Sequence, residues 1–116
     1  MSHNGYLLIE DDPDQVLLLK SLLETLGHPV TAVSNAKDAL SELSKKTFSA
    51  IVSDIRMPDM NGYDLVLVLR GLDSLNSKIP IVLVSAAEEF SLHPVEDSNV
   101  TVLPKSRFKE LLTLLP

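Results

Sequence analysis

Ala50-Ile51-Val52-Ser53-Asp54-Ile55-Arg56-Met57-Pro58-Asp59-Met60-Asn61-Gly62 holds the unit from which the fold of this chain is read. Ala50 to Ser53 is a short apolar run, a buried strand, that ends on an acid, Asp54. A loop rich in breakers follows, through Pro58, Asp59, Asn61 and Gly62. Tyr63 to Leu72 comes next. Its centre, Leu65-Val66-Leu67-Val68-Leu69, would suit a strand by composition, but the length and the neighbouring pattern predict a helix. The unit is strand, acidic end, loop, helix.

Working outward, the same unit recurs. Tyr6-Leu7-Leu8-Ile9 is a short apolar strand followed at once by Glu10, Asp11 and Asp12. Asp12-Pro13 opens a helix, with Asp12 as N-cap and Pro13 at the first helical position. Val16, Leu19, Leu22, Leu23 and Leu26 make one apolar face, and Gly27 stops the helix. Val30 to Val33 is a second strand. Ser34 or Asn35 caps a helix carrying Ala36, Ala39, Leu40 and Leu43. Pro80-Ile81-Val82-Leu83-Val84 is the clearest strand and ends at Ser85. Val100-Thr101-Val102-Leu103 is the fifth, leading to Lys105, and Arg107 to Leu115 reads as a closing amphipathic helix. Between them, Ala86 to Asn99 contains Pro94 and little apolar periodicity, so the fourth helix is expected to be short or irregular. Five strand–helix units predict an α/β fold, a parallel sheet with helices on both faces. No repeat, low-complexity tract or linker divides the chain, so residues 1–116 are expected to be one domain.

Composition narrows the function. Lys plus Arg total 10 and Asp plus Glu total 16, a formal charge of −6. A net-acidic domain is a poor general binder of nucleic acid, which needs clustered Lys and Arg. There is no Cys, which excludes disulfides, zinc–thiolate sites and thiol catalysis. Apolar residues make up 45 % but Trp is absent and Phe numbers 3, so the core is aliphatic. The apolar runs fall far short of the roughly 20 residues that span a bilayer. Met1 to Gly5 lacks the basic and apolar regions of a signal peptide, so a cytoplasmic location is expected.

In a parallel α/β sheet the ligand site lies beyond the carboxyl ends of the strands. The polar residues there are Glu10, Asp11 and Asp12 after strand one, Asp54 after strand three, Ser85 after strand four and Lys105 after strand five. Each alone has an ordinary explanation: a helix cap, a turn residue, a solvated lysine. Their coincidence at one sheet edge points to a site. Three carboxylates repel one another unless a cation intervenes, and oxygen-only ligands suit Mg²⁺. A metal, a carboxylate, a hydroxyl and a lysine together suit a phosphoryl group, which the carboxylate can accept covalently.

With those residues in view, the sequence resembles the receiver domain of two-component signalling, the phosphoacceptor module of response regulators and hybrid histidine kinases. The resemblance runs from about Tyr6 to Leu115. It is carried by Leu8-Ile9-Glu10-Asp11-Asp12, by Asp54 followed by Met57-Pro58 and Gly62, by Pro80 to Ala86, and by Leu103-Pro104-Lys105. It implies a flavodoxin-like fold of strand order 2-1-3-4-5. It implies Asp54 as phosphoacceptor, with Asp11 as direct Mg²⁺ ligand, Glu10 as its water-mediated companion and the backbone carbonyl of Arg56 completing the metal shell. Ser85 would bind a phosphoryl oxygen, Lys105 would pair with the phosphate, and small Ala86 would leave room for it. The implied role is a signalling switch rather than an enzyme, with at most weak self-phosphorylation from small donors and self-dephosphorylation. The implied partners are a histidine kinase or histidine phosphotransfer protein upstream, and a downstream protein or fused output domain. Neither nucleic acid nor a membrane is expected to bind.

Two positions depart from the family pattern. Ser106 follows Lys105 where the family has Pro in a cis peptide. A non-Pro cis bond costs about 3–4 kcal/mol, so a trans bond is expected. Val102 stands where the family often carries an aromatic switch residue. These departures, together with the weak fourth helix, motivate an alternative, a degenerate receiver that binds proteins without phosphorylation. A phosphatase using an aspartyl phosphate would need a second Asp two residues after the nucleophile, where Arg56 stands. A flavin-binding domain would need a phosphate cradle where Glu10-Asp11-Asp12 would repel it. On the helix from Tyr63, packing through Leu65, Val66, Leu69 and Leu72 would turn Leu67 and Val68 outward, a pair that would suit a partner surface or a weak homodimer.

Overall fold

The structure is a computed structural model that describes residues 5–72, 74–85, 97 and 99–116. The strand–helix units are β1 Tyr6–Ile9, α1 Pro13–Glu24, β2 Val30–Val33, α2 Ala36–Lys45, β3 Ala50–Asp54, α3 Gly62–Arg70, β4 Ile81–Ser85 and β5 Val100–Pro104. A 3-10 helix, Lys105–Glu110, and a single α-turn, α4 Leu111–Leu114, follow. All five strands pair in parallel, in the order β2-β1-β3-β4-β5. This is the parallel α/β sheet the alternating pattern predicts, in the flavodoxin-like order the family resemblance implies.

The central strands β1, β3 and β4 are largely apolar because both faces of the sheet are covered there. Successive side chains on a strand point to opposite faces. Leu7, Ile9, Ile51, Ile81 and Leu83 therefore join one cluster, with Ala36, Ala39 and Leu43 of α2 and Leu65, Val66 and Leu69 of α3. Tyr6, Leu8, Ala50, Val52, Val82 and Val84 join the other, with Leu19 and Leu23 of α1 and Leu111 of α4. The chain first runs outward from β1 to β2 and then returns past β1 to β3. The strand order thus reverses between β1 and β3, which opens a crevice at their carboxyl ends.

Caps set where the helices begin. The Asp14 N–H donates to Asp12 Oδ1 at 3.0 Å, with Pro13 at the first helical position. Asn35, rather than Ser34, caps α2, accepting from the Asp38 N–H at 2.8 Å. Asn61 caps α3, accepting from the Asp64 N–H at 2.9 Å. Gly62 lets α3 start hard against the end of β3. A Cβ there would lie 3.0 Å from Leu83 Cδ2 and 3.1 Å from both the Asp54 carbonyl oxygen and Ile55 Cα.

Two expectations change. Leu72 does not pack on the core but is 43 % exposed, because α3 ends at Arg70 before reaching it. Leu67 and Val68 do face outward, at 73 % and 38 % exposure. The closing helix from Arg107 to Leu115 is mostly 3-10, with non-helical angles at Arg107 and only one α-turn. Phe108 and Leu111 still pack on the core, and Arg107 pairs with Glu110. The expected fourth helix falls largely on residues 86–96, outside the described residues. Among those described, no peptide bond is cis, as expected at Lys105–Ser106. No described helix is long and apolar enough to cross a membrane.

Candidate functional site

The carboxyl ends of β1, β3, β4 and β5 carry five polar side chains to one edge of the sheet. Glu10 is the first residue past β1. Its N–H still bonds the Val33 carbonyl at 3.0 Å, so it is held as rigidly as the strand, and its side chain is buried. Asp11 follows and is exposed. Asp54 is the last residue of β3, level with Val84 of β4, and its side chain is 13 % exposed. Ser85 ends β4, buried and in register with Pro104. Lys105 is the first residue past β5.

A carboxylate oxygen from each of Glu10, Asp11 and Asp54 can be chosen so that all lie within 4.8 Å of one another. Lys105 Nζ reaches into this cluster, donating to Glu10 Oε2 at 2.9 Å and lying 3.6 Å from Asp54 Oδ2. Burial alone would lower the Lys105 pKa. The Glu10 hydrogen bond and the charges of Asp54 and Glu10 outweigh it, and hold the pKa above its ordinary value. Glu10 Oε1 accepts from the Asp12 N–H at 3.2 Å, and Asp54 Oδ1 faces the Arg56 N–H at 3.4 Å. Asp12 itself is committed to capping α1, which leaves Glu10 and Asp11 as the acidic pair of the crevice.

The donor set is all oxygen, with three carboxylates against one ammonium. That fits a hard divalent cation such as Mg²⁺, which uses few carboxylates and keeps several waters. The same edge carries an ammonium, a buried strand-end hydroxyl and the Asp54 carboxylate. Ala86 lies outside the described residues.

Two structural links were not visible in the sequence. Asp59 accepts from the Ala36 and Lys37 N–H groups at 3.0 and 2.9 Å, joining the loop after β3 to the start of α2. Asn76, almost wholly buried, accepts from the Phe48 N–H at 2.9 Å and donates to the Leu43 and Lys46 carbonyls at 2.8 and 2.6 Å. Both look like ordinary loop residues, and their partners lie more than twenty residues away. Only the repetition of Asp and Asn among breakers hinted that these loops are anchored.

The chain belongs to the response regulator receiver domain family, whose model matches residues 6–113. It is 36 % identical over 107 residues to an uncharacterised 14.6 kDa protein of Leptolyngbya boryana, covering 92 % of this chain and 76 % of that one. Other curated relatives are far longer: a match to a probable histidine kinase of rice, 32 % identical over 68 residues, takes in 59 % of this chain and 7 % of the kinase. Among solved structures, a sensor protein from Polaromonas sp. JS666 is similar with a TM-score of 0.78 and 32 % identity, over 97 % of this chain and 92 % of that one. The receiver domain of a sensor histidine kinase from Pseudomonas aeruginosa PAO1, solved with a magnesium ion in its active-site cleft, shares the fold with a TM-score of 0.76 at 22 % identity, over 97 % of this chain and 96 % of that one. The chain is thus a receiver domain of two-component signal transduction, with the acidic pocket of Glu10, Asp11 and Asp54 at its switch point.

Proposed function

We propose that this domain is a phosphorylation-controlled switch that accepts a phosphoryl group on Asp54 from a phosphohistidine and thereby alters a protein-binding surface. The observation that carries this reading is the convergence of Glu10, Asp11 and Asp54 on a point that Lys105 reaches with its ammonium. An Asp54 carboxylate oxygen attacks phosphorus, the P–N bond to the donor imidazole breaks, and the imidazole leaves with that bond's electron pair. Lys105 and the Ser85 hydroxyl face the new phosphoryl oxygens, a charge of about −1.5 to −2 near neutral pH. Glu10, Asp11, Asp54 and the Arg56 carbonyl would hold Mg²⁺, which when bound offsets charge on the transferring oxygens. The magnesium ion in the Pseudomonas aeruginosa domain supports this assignment.

The partner upstream is a histidine kinase or phosphotransfer protein, and output passes to a downstream protein or to a fused domain. Residues 1–116 act as one receiver unit in the cytoplasm. They do not turn over a substrate beyond slow self-phosphorylation from small donors and self-dephosphorylation. Val102 and Ser106 favour a second reading, protein binding without phosphorylation. Intact mass after incubation with a small phosphodonor separates the two. A Mg²⁺-dependent gain of one phosphoryl group, absent in Asp54→Ala, is expected. No gain, in a folded protein and with a phosphohistidine donor also tried, supports the second reading.

A further inference from the structure

The loop that carries Arg56 is closed at its base and tethered at its tip. At the base, the Gly62 N–H donates to the Ile55 carbonyl at 2.6 Å and Arg56 bridges Asn61. The Arg56 N–H faces Asp54 Oδ1 at 3.4 Å, so this short ring ends on the phosphoacceptor. At the tip, both carboxylate oxygens of Asp59 are spent on α2: Oδ1 accepts from the Ala36 N–H at 3.0 Å and Oδ2 from the Lys37 N–H at 2.9 Å. Met57 and Met60, on either side of Asp59, pack against the core cluster that includes Ala36 and Ala39.

This clamp is more than the ordinary capping of a helix. Asn35 already caps α2 from within, its Oδ1 on the Asp38 N–H at 2.8 Å, and the Ala39 N–H bonds the Asn35 carbonyl at 3.1 Å. The two amides that Asp59 takes are the first two of the helix, which in an exposed helix water satisfies. The helix can therefore persist without Asp59. The loop cannot keep its place as well, because the clamp is its charge-assisted anchor to a rigid element.

We infer that Asp59 is a positioning residue of the phosphoacceptor site: by fixing the 55–61 loop on α2 it holds the Arg56 backbone at Asp54, and so sets the Mg²⁺ affinity of the pocket without touching the metal. The inference rests on the metal-dependent phosphoacceptor reading above. Groups that orient a metal's ligands from behind typically account for about 10–100-fold in affinity.

The test compares the whole chain with Asp59→Ala and Asp59→Asn. Mg²⁺ is titrated against backbone amide NMR shifts, with hydrogen exchange at Asp38 and Ala39 reporting on α2. Phosphorylation by a small donor is followed at each Mg²⁺ concentration. For Asp59→Ala the Mg²⁺ dissociation constant is expected to rise about tenfold. The half-saturating Mg²⁺ for phosphorylation should rise with it, the plateau rate at saturating Mg²⁺ should stay close to that of the unaltered chain, and α2 should keep its protection. Asp59→Asn, which keeps one carbonyl acceptor, should fall between. An unchanged dissociation constant in Asp59→Ala overturns the inference. So does loss of Mg²⁺ binding together with loss of α2 protection, which would make Asp59 a helix cap alone. Absence of Mg²⁺ binding by the unaltered chain overturns the site reading itself, and this inference with it.

Discussion

The ammonium of Lys105 donates to Glu10 Oε2 at 2.9 Å, although their strands, β5 and β1, are separated by β4 and β3 in the sheet. Three inter-strand spacings amount to roughly 14 Å, so the bond is made over the carboxyl edge, above Asp54. A double-mutant cycle on Glu10→Gln and Lys105→Met, read by urea unfolding, should give a coupling of about 1–3 kcal/mol. Simple additivity of the two changes would dissolve the pair. The same pair sets an alkaline limit. The folded pKa of Lys105 lies above its ordinary 10.5, so its stabilisation is complete below that value and fades as pH rises through the raised one. Lys105→Met should flatten the alkaline limb of the stability curve.

Crowding of carboxylates makes a second prediction. Glu10, Asp11 and Asp54 oxygens lie within 4.8 Å of one another, with only part of their repulsion relieved by Lys105. Without Mg²⁺, Asp54→Asn should raise stability by about 1 kcal/mol. Added Mg²⁺ should stabilise the unaltered chain by about 2.7 kcal/mol at one hundred times its dissociation constant, and the variant less. Thermal unfolding with and without Mg²⁺ measures both. A variant that is less stable than the unaltered chain in metal-free buffer goes against the crowded-acid description.

At the acid end, two anchoring carboxylates matter. The Ala36 and then the Lys37 N–H groups hold the Asp59 pKa below its ordinary 3.8. For Asp97 the Arg70 hydrogen bond does most of the lowering, at 2.8 Å, with the Asn99 N–H adding to it. Depressed folded values mean that these contacts stabilise the fold above 3.8 and are lost as pH falls through the depressed values. Chemical unfolding midpoints measured from neutral pH downward should therefore drop less steeply in Asp59→Asn and Asp97→Asn. A slope identical to that of the unaltered chain would remove both from the account.

Asn76 bears on stability rather than on chemistry. Asn76→Ala strands the Phe48 N–H and removes the donor from the Leu43 and Lys46 carbonyls at the end of α2. An unsatisfied buried backbone group costs about 1–3 kcal/mol, and a loss near 3 kcal/mol is expected in urea unfolding. A change below about 0.5 kcal/mol, the level of an ordinary surface substitution, would show that the loops hold without it.

These cases show what a linear reading reaches. The five strands and their apolar character follow from burial on both faces, and so does the arrival of Glu10, Asp54, Ser85 and Lys105 at one edge, since each lies at the end of a run. Asp12 reads as the N-cap of α1 from the Asp-Pro pair alone, and its side chain on the Asp14 amide bears that out. The clamps of Asp59 and Asn76 join loops to distant backbone groups and leave no periodicity to read. The segment from Arg107 to Leu115 reads as an amphipathic helix, yet Lys105–Glu110 winds as a 3-10 helix with non-helical angles at Arg107, which its apolar pattern does not foretell.

Asp54, and no other acid of the pocket, is expected to take the phosphoryl group. The most direct measurement is borohydride trapping after incubation with a phosphodonor and Mg²⁺, followed by peptide sequencing in the mass spectrometer. Borohydride reduces an acyl phosphate to an alcohol, so a phosphorylated Asp is read as homoserine. The account predicts homoserine at position 54, dependent on Mg²⁺, with Glu10, Asp11 and Asp12 unmodified. Reduction at one of those three instead, or none anywhere in a folded protein offered a phosphohistidine donor, would contradict it.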